Sequence, residues 1–222
     1  MRTTRPAVAH LCGLAFALAA SGYARAATLE VEVVDEQGHP VERVAVYATA
    51  SSGPAAPLRT PRAVMDQQNH RFVPHILVVQ KGTSVEFPNH DDVSHHVYSF
   101  SPAKTFELPL YKGQVYSPVV FDQAGIVVLG CNIHDSMLGY IRVVDTPYFA
   151  VTNDEGVARV EDVPSGAYSL EVWTPRLRPA GLPAAQQLTV GAEAVVPATV
   201  RLLGRLAPDH DHSPSSLSWE RY

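Results

Sequence analysis

Thiols are almost missing from this chain. Its 222 residues hold two cysteines, Cys12 and Cys131. Cys12 falls in an N-terminal stretch with the pattern of a secretory leader. Arg2 and Arg5 give that stretch a positive start, Ala7 to Ala20 is mainly apolar, and Ala24-Arg25-Ala26 is a small-x-small cleavage site. Residues 1–26 are therefore read as a removed signal peptide, with the periplasm as destination. Cys131 is then the one thiol of the mature chain, which excludes an internal disulfide. An unpaired cysteine in an oxidising compartment is explained by burial, by a reactive role or by a bound metal.

Other absences narrow the field further. The apolar run of the leader is short of the roughly 20 residues that a spanning helix needs, and no other run is longer, so no membrane span is expected. Positive charge is scarce. Without residues 1–26 the chain keeps 14 Lys+Arg against 22 Asp+Glu, a formal net charge of −8, and it has no basic patch. Nucleic acid is thereby excluded as a partner. Helical periodicity is missing too, while 18 prolines and 14 glycines mark many turns. Neither a nucleophile–base pair nor a phosphate-cradling loop is present, and the histidines are too few for the additional clusters of a catalytic copper enzyme. The expected function is not that of an enzyme.

What remains is a succession of short alternating or apolar runs separated by turns, the pattern of an all-β protein. Leu29, Val31 and Val33 alternate with Glu30 and Glu32. A turn at Asp35-Glu36-Gln37-Gly38 leads to a second run from Val41 to Ala48, and together they read as a β-hairpin. Residues 51–62 form a proline-rich linker. Strands are expected at Ile76–Val79, Val85–Phe87, Val93–Phe100, Val115–Phe121, Ile126–Cys131 and Tyr140–Val144, with Ser101–Lys112 irregular. Further runs at Tyr148–Thr152, Val157–Val160, Tyr168–Trp173 and Gln187–Leu203 follow, and then a polar tail, 204–222, expected to be mobile.

Three chemically distinctive residues crowd one short loop between two of these runs, in Cys131-Asn132-Ile133-His134-Asp135-Ser136-Met137. Singly, each is an ordinary core or loop residue. Upstream, Ser94-His95-His96-Val97 offers a further imidazole. One thiolate, two imidazoles and one thioether are the donors that suit copper in an electron-transfer site, with Met as the weak axial ligand. Structural zinc, the competing metal, draws on Cys and His and does not use Met. Neighbours on a strand point to opposite faces, so only one of His95 and His96 faces such an ion. Asn89, Asp91 and Asp92 read as a polar turn, with hydrogen bonds to the metal ligands as the alternative, His70 and His75 as surface residues, and His210-Asp211-His212 as an adventitious metal binder.

Two family resemblances build on these residues. Val34-Asp35-Glu36-Gln37-Gly38-His39-Pro40-Val41, with Thr152-Asn153-Asp154-Glu155-Gly156 and Pro164-Ser165-Gly166-Ala167-Tyr168, resembles the carboxypeptidase regulatory-like β-sandwich. In that family the pieces follow closely, whereas here about a hundred residues separate them. The expected organisation is a discontinuous sandwich, 28–55 and 146–203, with a second module, 63–145, inserted at a loop; two adjacent domains are the alternative. The second module resembles the cupredoxins. Its Cys-x2-His-x2-Met loop has the short amicyanin-type spacing, and Ser94-His95-His96-Val97 stands where that family has Pro-His-Asn-Val.

The resemblance implies a cupredoxin Greek-key sandwich or barrel holding one type 1 (blue) copper on His95, Cys131, His134 and Met137. His96 then replaces an asparagine that braces the ligand loops, and Asn132-Ile133 replaces the usual Ser/Thr-Pro. The whole chain is also similar to periplasmic cupredoxin-like proteins described as methylamine-utilisation proteins. The implied function is single-electron transfer between transient redox partner proteins. A copper carrier or sensor, or a protein- or glycan-binding sandwich with a structural copper site, are the alternatives. Oligomeric state is not set by these residues.

Overall fold

A computed structural model describes residues 26–113, 116–177 and 182–208. Residues 1–25, where the leader is expected, residues 114–115 and 178–181, and residues 209–222 with His210 and His212 lie outside the described residues. Among those described, seventeen strands form five sheets and there is no helix, so the chain is all-β as expected.

The outer layer is built from both ends of the chain. β1 (Ala27–Val34) lies between β14 (Val157–Val163), antiparallel to it, and β17 (Val195–Arg201), parallel to it. Leu29, Val31 and Val33 turn inward and are fully buried. Glu30 faces outward and pairs with Arg159 of β14 at 2.6 Å, directly across the register. A second sheet sets β2 (Ala45–Ala50) between β13 (Phe149–Val151) and β15 (Gly166–Trp173), with β16 (Gln186–Val190) on the far edge of β15. Leu29, Val31, Val46, Leu170 and Val200 share the core between these sheets.

The expected β-hairpin of β1 and β2 does not exist. The turn at Asp35–Gly38 forms, capped by the Asp35 carboxylate on the Gln37 and His39 N–H groups, but pairing ends at a single bridge from Val34 to Pro40. The chain then crosses to the opposite sheet. Alternation reports which face of a strand is buried, and both strands do have buried faces; it does not report the partner.

Strands between residues 62 and 144 make no ladder with those of the outer layer. β6 (Ile76–Gln80), β12 (Leu138–Val144), β11 (Gly125–Gly130), β8 (His95–Ser101) and β9 (Lys104–Tyr111) form, in that spatial order, a five-stranded sheet. β10 (Val119–Phe121), β7 (Thr83–Glu86) and β3 (Arg62–Val64) form a three-stranded one. Phe121 and Val85 of the small sheet meet Val97, Leu129 and Ile141 of the large one in a second core. A short ribbon, β4 (Asp66–Gln68) with β5 (Arg71–Val73), adds the buried Phe72 to it. β9 corrects the expectation of an irregular Ser101–Lys112. It is an edge strand, where Pro109 removes no ladder hydrogen bond that a neighbour needs.

The two units are joined by more than their connections. Ala45, Tyr47 and Trp173 of the outer layer and Ile76, Val78 and Val144 of the inner sheets make a third cluster. Arg142 lies over the Tyr47 ring and donates to its hydroxyl at 2.6 Å. This is why residues 45 to 48 of β2 are buried on both faces. The chain leaves after β2 and comes back beside it: β13 pairs with β2, and the Thr146 hydroxyl donates to the Ala48 carbonyl at 2.6 Å.

Candidate metal centre

Cys131 is the first residue after β11 and Leu138 the first of β12, so the seven residues 131–137 are the loop of a β-hairpin. The loop closes on itself through the Met137 N–H and the His134 carbonyl, 2.9 Å apart. That turn buries Met137 in the same core as Cys131, while His134 stays half-buried at the rim. The cluster includes Phe72 and Tyr111, so both sulfur residues sit in an apolar wall.

His95 opens β8 and is fully buried. Its Nδ1 lies 3.2 Å from His134 Nδ1, and the Cys131 Sγ lies 3.8 Å from each of these nitrogens. Three donor atoms from two separate strand ends thus form an isosceles triangle. An ion in the plane of that triangle, about 2.3 Å from the sulfur, is about 2.0 Å from both nitrogens, which are ordinary metal–ligand lengths. Two imidazole lone pairs aimed at one another at this distance repel unless a proton or a cation lies between them. The donor set fits a bound metal.

The remaining nitrogen of His95 explains why Nδ1 is the one presented. Nε2 donates to the Asp91 carboxylate at 2.6 Å, so the proton sits on Nε2 and the lone pair on Nδ1 faces the triangle. Asp91 also accepts from the backbone N–H groups of Asn69 and His70, the latter at 2.9 Å. Both of these residues have positive φ, 53° and 59°, and make the tight turn between β4 and β5. Burial works against ionisation of Asp91, but the N–H of His70, the His95 ring and the N–H of Asn69 outweigh it and hold the carboxyl below the usual range. Of the two readings of this turn, hydrogen bonding to a ligand holds for Asp91. Asn89 donates through Nδ2 to the Val93 and Tyr111 carbonyls and accepts from the Asp91 N–H. It thereby ties the turn before β8 to the end of β9. The Asp92 carbonyl accepts from Lys112.

His96 points the other way. Its Nε2 lies 2.8 Å from Glu107 on β9, and its ring packs near Tyr98. A register shift between His95 and Val97 buries both imidazoles, yet only that of His95 faces Cys131.

His70 lies at the surface, as read from the sequence, but its ring lies edge-on against His134 at 4.5 Å and His95 at 5.7 Å. His75, also read as a surface residue, is half-buried against Tyr140. The His134 imidazole is held below its ordinary pKa, first by burial and then by the neighbouring His70 and His95, with Asp91 acting in the opposite sense. It therefore stays neutral, as a ligand must, to lower pH than a free imidazole. No periodicity marks His70 or Asp91. The signal was the Asn69-His70 pair, since asparagine tolerates a left-handed turn and such a turn brings two N–H groups to one acceptor.

No family model matches the chain, and no curated protein matches it. Solved structures do. A novel purple cupredoxin from Nitrosopumilus maritimus is 23% identical over 37% of this chain and 98% of its own, with a TM-score of 0.33. A reduced Cu(I) form of an amicyanin point mutant is 26% identical over 44% of this chain and 99% of that one, with a TM-score of 0.34. A Cu-containing nitrite reductase from Thermus scotoductus SA-01 is 24% identical over 50% of this chain and 28% of its own length, with a TM-score of 0.35. The chain is similar to copper proteins. The site itself stands on the distances within it.

Proposed function

We propose that the chain is a periplasmic mononuclear copper protein of the type 1 kind, its ion held by His95, Cys131, His134 and Met137, that carries single electrons between redox partners. The observation that carries this reading is the convergence of Sγ and two Nδ1 atoms within 3.8 Å of one another, with Met137 buried in the same core. Trigonal His2Cys sites with a weak axial Met are electron-transfer sites. Bound copper supplies one-electron Cu(I)/Cu(II) chemistry.

The chain's own groups do the rest. Asp91 fixes the His95 ring, and β11 and the 134–137 turn fix Cys131 and His134, so the donors are preorganised. Four protein donors leave no open position for a substrate, which favours a carrier over an enzyme. His134 lies at the rim beside Ile133, which is 51% exposed. A shallow groove lined by Tyr98, Phe100, Val128 and Leu138 begins nearby, and Phe100 is 78% exposed. Small apolar surfaces of this kind suit weak, transient redox contacts. Sheet membership supports reading residues 28–55 and 146–203 as one carboxypeptidase regulatory-like sandwich that bears the copper module, 63–145, on a loop.

Reconstitution with Cu(II) tests the assignment. An intense visible band and reversible voltammetry are expected. A colourless, redox-silent adduct refutes electron transfer, and Cu(I) that passes readily to a chelating acceptor without cycling favours a copper carrier.

A further inference from the structure

A cavity of about 610 Å³ opens where the two units meet. Phe149 and Val151 line it from the outer layer, and Phe72, Val73, Ile76 and Leu138 line it from the inner sheets. Ile76, Phe149 and Val151 also belong to the cluster that joins the units. The apolar joint therefore opens into a space instead of closing on itself. Clefts of this volume at such a junction, with mainly apolar walls, are the usual form of a small-molecule site.

The lining selects against a charged occupant. Arg43, Arg71 and His75 lie in it, and each is already engaged within the protein. Arg43 has Glu42 at 3.5 Å, and His75 packs on the Tyr140 ring. No Asp or Glu lines the cleft among the described residues, so a cation finds no counter-charge there either. A charge brought against apolar walls without a partner of its own loses hydration that apolar contact does not return, whereas a neutral molecule meets no such cost. Each unit contributes one aromatic ring, Phe72 and Phe149, and ring-to-ring contact favours an aromatic occupant beyond the area buried.

We propose that the cleft between the two units binds a neutral aromatic molecule of two or three rings, selected by shape and apolar contact. None of the three converging donor atoms lies in the cleft, so the test uses the full chain without metal. Fluorescence titration compares neutral phenylnaphthylamine with its anionic counterpart, anilinonaphthalene sulfonate, which has the same ring skeleton. The neutral probe binds one to one, and the anion binds more weakly, by about tenfold. Val73 lines the cleft yet is 40% exposed, so Val73→Trp obstructs the cleft without entering a core. It abolishes binding. Ser136→Trp does the same from the exposed donor loop at the other side of the lining.

Phe100, 78% exposed on the other apolar groove, supplies the control: Phe100→Ser leaves the affinity for the neutral probe within about twofold of the parent. Loss of binding in Phe100→Ser places the probe in that groove and overturns the proposal. So does binding that survives Val73→Trp, an anion that binds as tightly as the neutral probe, or a neutral probe that does not bind at all. If Val73→Trp fails to fold by circular dichroism, Ser136→Trp decides. Copper reconstitution is scored separately, so failure of the copper reading leaves these outcomes intact.

Discussion

Replacing Asp91 by alanine removes a group that never touches the donor triangle. It takes an acceptor from His95 Nε2 at 2.6 Å and from the N–H groups of Asn69 and His70. Hydrogen bonds to charged groups contribute about 1.5–3 kcal/mol, and a buried donor left without a partner costs about 1–3 kcal/mol. His95 is fully buried, so its loss falls within that range. The two backbone donors lie on an exposed turn where water replaces the carboxylate, and their share is small. The metal-free chain should lose about 2–4 kcal/mol, read from urea unfolding at constant m-value. Copper affinity, read by competition with a chelator, should fall about 10–100-fold because the His95 ring loses both its tautomer and its orientation. Asp91→Asn keeps one acceptor oxygen and should recover part of both effects. An alanine variant within about 0.5 kcal/mol of the parent and about twofold in copper affinity would refute the role given to this carboxylate.

Other substitutions separate the remaining assignments. His95→Ala should abolish the visible copper band while His96→Ala leaves it in place, since His96 faces Glu107; equal loss from both would contradict the observed geometry. Cys131→Ser should leave a chain that folds, judged by its circular dichroism, but has no intense copper colour; retained colour would place the sulfur elsewhere. Gly139→Ala should destabilise by about 1–3 kcal/mol in thermal unfolding, because its Cβ would stand 2.7 Å from the Phe72 Cβ; a neutral variant would mean that β5 moves freely. The metal-free chain should also weaken in acid. His134 titrates below its ordinary 6.5 when folded, so the unfolded chain binds the proton first and stability falls as pH drops through that region. Asp91, held below 3.8, adds a further loss as pH falls past that value. Urea midpoints at about pH 8 and about pH 5 should show the first decline, and His134→Ala should flatten it.

The donor loop was readable because three of its donors lie within seven residues and their spacing is local. The strands β8, β11 and β12 were readable for the same reason, each showing its own apolar pattern. β9 was not: Phe106 and Leu108 obey alternation, but the register shift opposite His95 puts Leu110 outside and Tyr111 inside, and Pro109 reads as a breaker. The ring contacts of His70 were missed because they join residues more than twenty apart in the chain and a turn residue carries no period, whereas Asp91 lies only four residues before His95. The absent β1–β2 hairpin has the same cause in reverse. A good local turn was present, but the partners that capture each strand, β14 with β17 and β13 with β15, come from the last third of the sequence.

That last point bears on the order in which the molecule is made. β1 and β2 emerge first, yet neither finds its ladder partners until more than a hundred further residues have arrived. The ladder partners of the strands from residue 62 to residue 144 all lie within that stretch, so those ladders can close while the first two strands wait. Burial of the Cys131 sulfhydryl thus needs only that stretch, whereas the outer sandwich needs the last strands to appear, which act as its latch.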